Sequence, residues 1–192
     1  MKSIIEKTRN GKMTYDTSAY LAGERVLNLF GEVTDESIND LIQQIIALNI
    51  VSDDEITILI NSGGGSINAG LALCDAMAIS RAPIRTVAVS MAASMAAVIF
   101  CSGAKGRREI FPSARVMIHD PRVMGNLGVL TVKDSVELGK NLNKTKQKVN
   151  EIIAKNTGHT LKQINKDTSF DHYFTAEEAI QYGLCDKVLE QF

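Results

Sequence analysis

Three side chains in this sequence, Ser94, His119 and Asp171, have the chemistry of an acyl-transfer site if folding brings them together. A serine becomes a nucleophile when it sits exposed at a tight turn, has a base within reach, and faces donors for the oxyanion it creates. Ser94 meets the first condition by position. It follows the β-rich stretch Ile84–Val89 and opens an apolar run to Cys101, in the setting Ala92-Ala93-Ser94-Met95-Ala96. That setting is a loose analogue of the G-x-S-x-G elbow, and a helix starting there would set partial positive charge near the oxyanion. Taken alone, a serine among small residues at a helix start is more often an N-cap. His119 ends the apolar run Val116-Met117-Ile118, from which it can face a site or simply complete a core. Asp171 lies in the polar turn Lys166–His172 and on its own reads as a surface turn or cap. His159 and His172 fall in cap-like or turn segments and are expected to face solvent.

A second signal is Gly63-Gly64-Gly65, directly after Leu59-Ile60-Asn61-Ser62. Glycines at that point let the main chain approach a ligand and aim an N–H at it, although a plain tight turn explains them as well. A phosphate-binding loop is excluded, because no Lys-Ser/Thr follows and G-x-G-x-x-G is absent.

The elements that must position these residues alternate between strand and helix. Arg25–Phe30 reads as a strand, Thr34 as a helix start with Ile38, Leu41, Ile42, Ile45 and Ile46 at helical spacing, and Glu55–Asn61 as a second strand. A helix over about 67–80 and a strand over Ile84–Val89 complete a βαβ unit. A helix over about Ala93–Cys101 and short strands near Glu109–Phe111 and Val116–His119 follow. This alternation predicts an α/β layered domain with its ligand groups at the C-terminal ends of the strands. Residues 1–20 are polar and turn-rich around Asn10 and Gly11, which suggests a flexible or hairpin-like arm before a single domain over 21–192. After a loop with Gly125, Leu127 and Gly128, a capping box at Thr131 and Asp134 opens a long polar helix to about Lys155. Val132, Val136, Leu142, Val149, Ile152 and Ile153 lie along one side of it. So sparse an apolar stripe makes a poor core element and a better projection against a second subunit. Thr160 with Gln163 and Thr175 with Glu178 read as two further capping boxes.

At 192 residues the chain suits one domain with an appended segment. Hydrophobic residues make up 45% and charged residues 22%, and the net charge is −1, so nothing favours nucleic acid or an anionic membrane. The run Lys105, Arg107, Arg108 is expected to be solvated surface. Cys74, Cys101 and Cys185 are odd in number and far apart, with no zinc-ligand spacing. They read as buried apolar residues of a reducing compartment. The most apolar stretch is too short to span a bilayer and the N-terminus lacks a secretory core, so the expectation is a cytoplasmic protein with no membrane partner and no bound metal.

Taken together, Asn61-Ser62-Gly63-Gly64-Gly65, Ala92-Ala93-Ser94-Met95 and Arg115-Val116-Met117-Ile118-His119-Asp120-Pro121, in that order, resemble the family of the ATP-dependent Clp protease proteolytic subunit. The interval from Ser94 to His119 is also that family's. The likeness continues through Ser102-Gly103-Ala104-Lys105-Gly106 and through Ala176-Glu177-Glu178-Ala179 with Tyr182-Gly183-Leu184. Ile5-Glu6-Lys7-Thr8 with Gly11 is similar to the family's axial-pore loop, so the resemblance covers almost the whole chain. It implies a crotonase-like α/β fold, a βαβ spiral with a protruding handle helix over about 123–157. It implies a serine endopeptidase with Ser94 as nucleophile, His119 as base and then acid, Asp171 orienting His119, and the backbone N–H groups of Gly65 and Met95 as oxyanion donors. It also implies two stacked heptameric rings enclosing a chamber, fed with unfolded proteins by an AAA+ unfoldase of the ClpX, ClpA or ClpC type. That partner consumes the ATP, and this chain needs no cofactor.

Several positions depart from the family pattern. Gly63 stands where proline is usual, Ser90 and Ala96 replace glycines around the serine, Phe170 replaces an arginine used between rings, and the loop into the handle is longer. Asp120, in place of glutamine, sets a negative charge next to His119 that would favour the imidazolium if the groups are close. These departures suggest a divergent paralogue, working either in its own rings or in mixed rings with a conventional subunit. The competing readings are a crotonase-type acyl-CoA enzyme, which needs the paired N–H groups but not Ser94, and a weakly active structural subunit of a mixed complex.

Overall fold

The computed structural model describes residues 3–8, 11–122 and 131–191. The loop read around Gly125, Leu127 and Gly128 lies outside the described residues. Strands β1 (Ser3–Thr8) and β2 (Gly11–Asp16) pair antiparallel, so the arm is hairpin-like, and α1 (Thr17–Gly23) follows directly. The sequence reading has no helix there. Its signal is Asp16, whose carboxylate accepts from the N–H groups of Ser18 and Ala19.

Along the rest of the chain come β3 (Val26–Phe30), α2 (Asp35–Val51), β4 (Ile56–Ser62), α3 (Ile67–Ile79), β5 (Ile84–Ala93), α4 (Met95–Cys101), β6 (Arg108–Ile110) and β7 (Arg115–Ile118). They are followed by α5 (Val132–Thr157), α6 (Leu161–Asp167), β8 (His172–Phe174), α7 (Ala176–Tyr182) and β9 (Lys187–Val188). The sheet order is β3-β4-β5-β6-β9, all parallel, with β7 on the far end of β5 and β8 antiparallel to β7. Parallel strands are covered on both faces, which is why β4 and β5 are near-continuous apolar runs rather than alternating ones. The predicted strands and helices over 25–118 are present with boundaries shifted by a few residues. Strands β8 and β9 were not foreseen, because two or three residues carry no periodicity.

The core joins Leu27, Leu29, Ile58 and Ile60 of the sheet to Ile38 and Ile45 of α2 and Leu73 of α3. Every residue of α4 is buried, so this helix is apolar all round. In α2 the expected stripe holds at Ile38, Leu41 and Ile45, whereas Ile46 is exposed. The long helix α5 begins at the expected Thr131–Asp134 capping box and ends on Gly158 in the left-handed conformation. Only its C-terminal half reaches the core, through Val149, Asn150 and Ile153. Val132 and Val136 near its start stay exposed. Thr175 and Glu178 form the reciprocal capping box, but Thr160 caps α6 without the return bond, because the Gln163 amide donates to Asp167 instead.

Two surface expectations are corrected. Arg108 is buried, and its guanidinium grips both carboxylate oxygens of Asp186, at 3.0 and 2.6 Å, and the carbonyls of Asn156 and Gly183. His159 and His172 are half-buried rather than solvent-facing. His159 packs at a tilt against Tyr182 and His172 stacks on Phe174, each pair with ring centroids 4.2 Å apart. The three cysteines are buried, and loss of hydration pushes the thiols up, to about 11 at Cys74 and about 12 at Cys101 and Cys185. They are therefore poor nucleophiles.

Burial alone would raise the Asp186 pKa, but the hydrogen bonds from Arg108 outweigh it and hold the carboxyl below its usual value. A carboxylate depressed on folding stabilises the fold above its unfolded pKa of about 4, and that contribution fades as pH falls through the folded value. Asp186→Asn leaves the Arg108 cation buried without its counter-charge, so urea unfolding at neutral pH should show a loss of about 3 kcal/mol. The gap from wild type should narrow below about pH 4.

Candidate active site

β5 is the spine of the site. Its early residues Thr86–Ala88 pair with β6, and its last residues Met91–Ala93 pair with β7. Between those halves the register with β4 slips, since Ile60 faces Ala88 while Ser62 faces Ala92. Such a bulge bends a strand and re-aims the residues beyond it, and Ser90 sits exposed within it.

Ser94 comes next at φ 56°, ψ −125°, a region that costs a non-glycine residue about 1–3 kcal/mol. Its N–H donates to the Met117 carbonyl at 2.8 Å and its carbonyl accepts from Ala97 at 3.0 Å, so main-chain bonds on both sides hold the corner. Ser94 is the N-cap residue of α4, but its hydroxyl makes no capping bond to the helix. The hydroxyl lies 2.8 Å from Nε2 of His119 instead.

His119 and Asp171 meet through strand register. Ile118, the last residue of β7, faces His172, the first of β8, so the next residue out on each strand faces the other. His119 Nδ1 is 3.0 Å from the Asp171 carboxylate. A carboxylate only accepts, so Nδ1 carries the proton and Nε2 is left to accept from the Ser94 hydroxyl. Ser94, His119 and Asp171 thus form one hydrogen-bonded chain.

Asp120, next to His119 in sequence, has partners of its own. Its carboxylate pairs with Lys146 of α5 at 2.5 Å and accepts from the Thr168 hydroxyl at 2.8 Å, while its N–H donates to the Thr168 carbonyl. Its charge therefore ties the β7 end to the middle of α5. Arg122, which the sequence reading passed over, donates to the same Asp171 oxygen as His119.

The glycine turn lies against the serine corner. A Cβ on Gly64 would stand 2.7 Å from Ser94 Cβ and 3.0 Å from the Met95 nitrogen, and one on Gly65 would stand 2.3 Å from the Val33 carbonyl. Both glycines have positive φ, at 96° and 148°. The Gly64 N–H donates to the Ser62 hydroxyl at 3.1 Å, and Val33 holds the turn by donating to Gly64 and accepting from Ser66. At Gly63 a Cβ would meet nothing.

Beside Ser94 and His119 opens an apolar cavity walled by Ile67, Met95, Val98, Ile118, Val149 and Ile153. Two of those walls come from α5, so this long helix is also part of the site. Sequence periodicity did not show this, because so few of its apolar positions are buried.

A serine hydroxyl held by an imidazole, itself held by a carboxylate, beside a glycine turn on a parallel sheet, is the arrangement of a serine hydrolase. Residues 9–192 match the model of the family described as Clp protease. The "ATP-dependent Clp protease proteolytic subunit" of Streptococcus equi subsp. equi (strain 4047) is 39% identical over 189 residues, covering 97% of this chain and 95% of that one. The protein of the same name from Streptococcus pyogenes serotype M5 (strain Manfredo) is 38% identical with the same coverage. The chain belongs to the Clp protease family, with its crotonase-like fold and its serine endopeptidase activity. Peptidases of this family work without a cofactor of their own, as ring oligomers coupled to Clp ATPases. Among the described residues no helix is long and apolar enough to cross a membrane.

Proposed function

We propose that this chain is the proteolytic subunit of an ATP-dependent Clp protease and cleaves unfolded proteins through Ser94, His119 and Asp171. The observation that carries the reading is the unbroken hydrogen-bonded chain from the Ser94 hydroxyl through His119 to Asp171. Ser94 Oγ attacks the scissile carbonyl while its proton passes to Nε2 of His119, and Asp171 steadies the imidazolium that results. His119 then protonates the leaving amine. A water, deprotonated by the same nitrogen, releases the acyl group. The N–H groups of Gly65 and Met95 receive the oxyanion. In support, the glycine turn abuts the Met95 nitrogen, and the first N–H groups of α4 have no partner within the helix.

The subunit works in two stacked heptameric rings, its own or mixed with a paralogue, in the cytoplasm, fed by an AAA+ unfoldase of the ClpX, ClpA or ClpC type. Residues 1–20 form the axial arm, 21–192 the peptidase domain, and α5 the handle between rings. The exposed Val132 and Val136 of α5 support this, since nothing among the described residues covers them. Val136→Lys should lower the native mass from double to single rings, and a variant that keeps the wild-type mass removes the handle from that contact.

The deciding experiment is hydrolysis of an unfolded peptide by wild type and by Ser94→Ala, with and without a Clp ATPase. Turnover that depends on Ser94 supports the reading, and turnover indifferent to it overturns the reading.

A further inference from the structure

The Asp171 carboxylate is 39% exposed, so packing does not fix its rotamer. Among the described residues the donors to it are His119 Nδ1 and the Arg122 guanidinium, and both reach Oδ1. Arg122 lies just beyond His119 on the segment leaving β7, across the cleft from the glycine turn. Of the neighbours of Asp171 along the chain, Phe170 is an exposed ring and His172 stacks on Phe174. The carboxylate that orients His119 is therefore oriented in turn by a cation of the same subunit. We infer that Arg122 is a positioning residue, which holds the Asp171 carboxylate in the rotamer that keeps the His119 Nδ1 proton bound and Nε2 aimed at Ser94.

The physical case rests on what an exposed ion pair can and cannot do. Such a pair adds little to folding. An aspartate turns freely about its terminal bond, and a guanidinium on Oδ1 restricts that freedom through a directional, charge-assisted bond. The effect therefore belongs in turnover rather than in stability or substrate binding. The anchor is internal to the chain, so it operates in each subunit whatever its neighbour supplies.

This inference rests on the triad reading, and the test separates the two. Peptide hydrolysis is measured on the assembled protein for wild type, Arg122→Gln, Arg122→Lys, Asp171→Asn, Arg122→Gln/Asp171→Asn and Ser94→Ala. Arg122→Gln should lower kcat about fivefold with KM unchanged, native mass unchanged and thermal midpoint within about a degree of wild type. Arg122→Lys should recover most of the loss, and the Gln substitution should cost nothing further once Asp171 is Asn. If Ser94→Ala retains wild-type turnover, the triad reading itself falls. If Ser94→Ala is dead while Arg122→Gln matches or exceeds wild-type kcat, only the positioning role falls. A shift confined to KM, a loss of assembly, or equal costs in both Asp171 backgrounds also overturns it.

Discussion

Ser94→Ala should lower kcat for an unfolded peptide by about four to six orders of magnitude and leave the fold intact. The loss is large because Oγ is both the attacking atom and the hydroxyl that His119 addresses at 2.8 Å. The fold survives because the corner is held by main-chain bonds, Ser94 N–H to Met117 and Ala97 N–H to Ser94, which alanine keeps. Alanine also tolerates φ 56° about as poorly as serine, so strain barely changes. One partly buried hydrogen bond goes, worth about 1 kcal/mol, and thermal unfolding should move by only a few degrees. A fluorophosphonate probe should label wild type and not the variant. Labelling that persists in Ser94→Ala would move the nucleophile elsewhere.

Gly65→Ala should lower kcat by about 10²- to 10³-fold, with Gly64→Ala close behind. The added methyl at Gly65 meets the Val33 carbonyl at 2.3 Å, and at φ 148° an alanine has no relaxed conformation. The turn must shift, and with it the N–H proposed to receive the oxyanion. At Gly64 the methyl meets Ser94 Cβ and the Ala93 carbonyl and pushes on the nucleophile's corner directly. Gly63→Ala is the internal control: with open space around it, it should stay within about threefold of wild type. Steady-state hydrolysis by the three variants, each checked for folding by circular dichroism, decides the point. Full activity in Gly65→Ala would remove that N–H from the mechanism.

The parts of the site that were legible in the sequence are those made by short stretches of chain. Ser94 and His119 each end an apolar strand, and Gly63-Gly64-Gly65 breaks one, so residue type and position already point at a ligand. Asp171 was not legible from its own neighbourhood. Its meeting with His119 depends on the antiparallel register of β7 with β8, a strand of three residues with no pattern of its own. The family resemblance supplied what periodicity could not. The misreadings share one cause, a partner distant in sequence. Arg108 looks like surface until Asp186 arrives beside it, and His159 looks exposed until Tyr182 packs against it. Arg122 belongs with these, since nothing in Pro121-Arg122 announces a contact with Asp171.

The attachment of β8 has an operational consequence. Ser94 hangs from the middle of the sheet, where β5 has neighbours on both sides, whereas Asp171 rides at the margin, on three residues zipped to β7 alone. Marginal strands detach at lower free energy than central ones. Gentle warming or a little denaturant should thus silence the molecule reversibly while amide protons of β4 and β5 still resist exchange, so loss of function is no measure of loss of structure here.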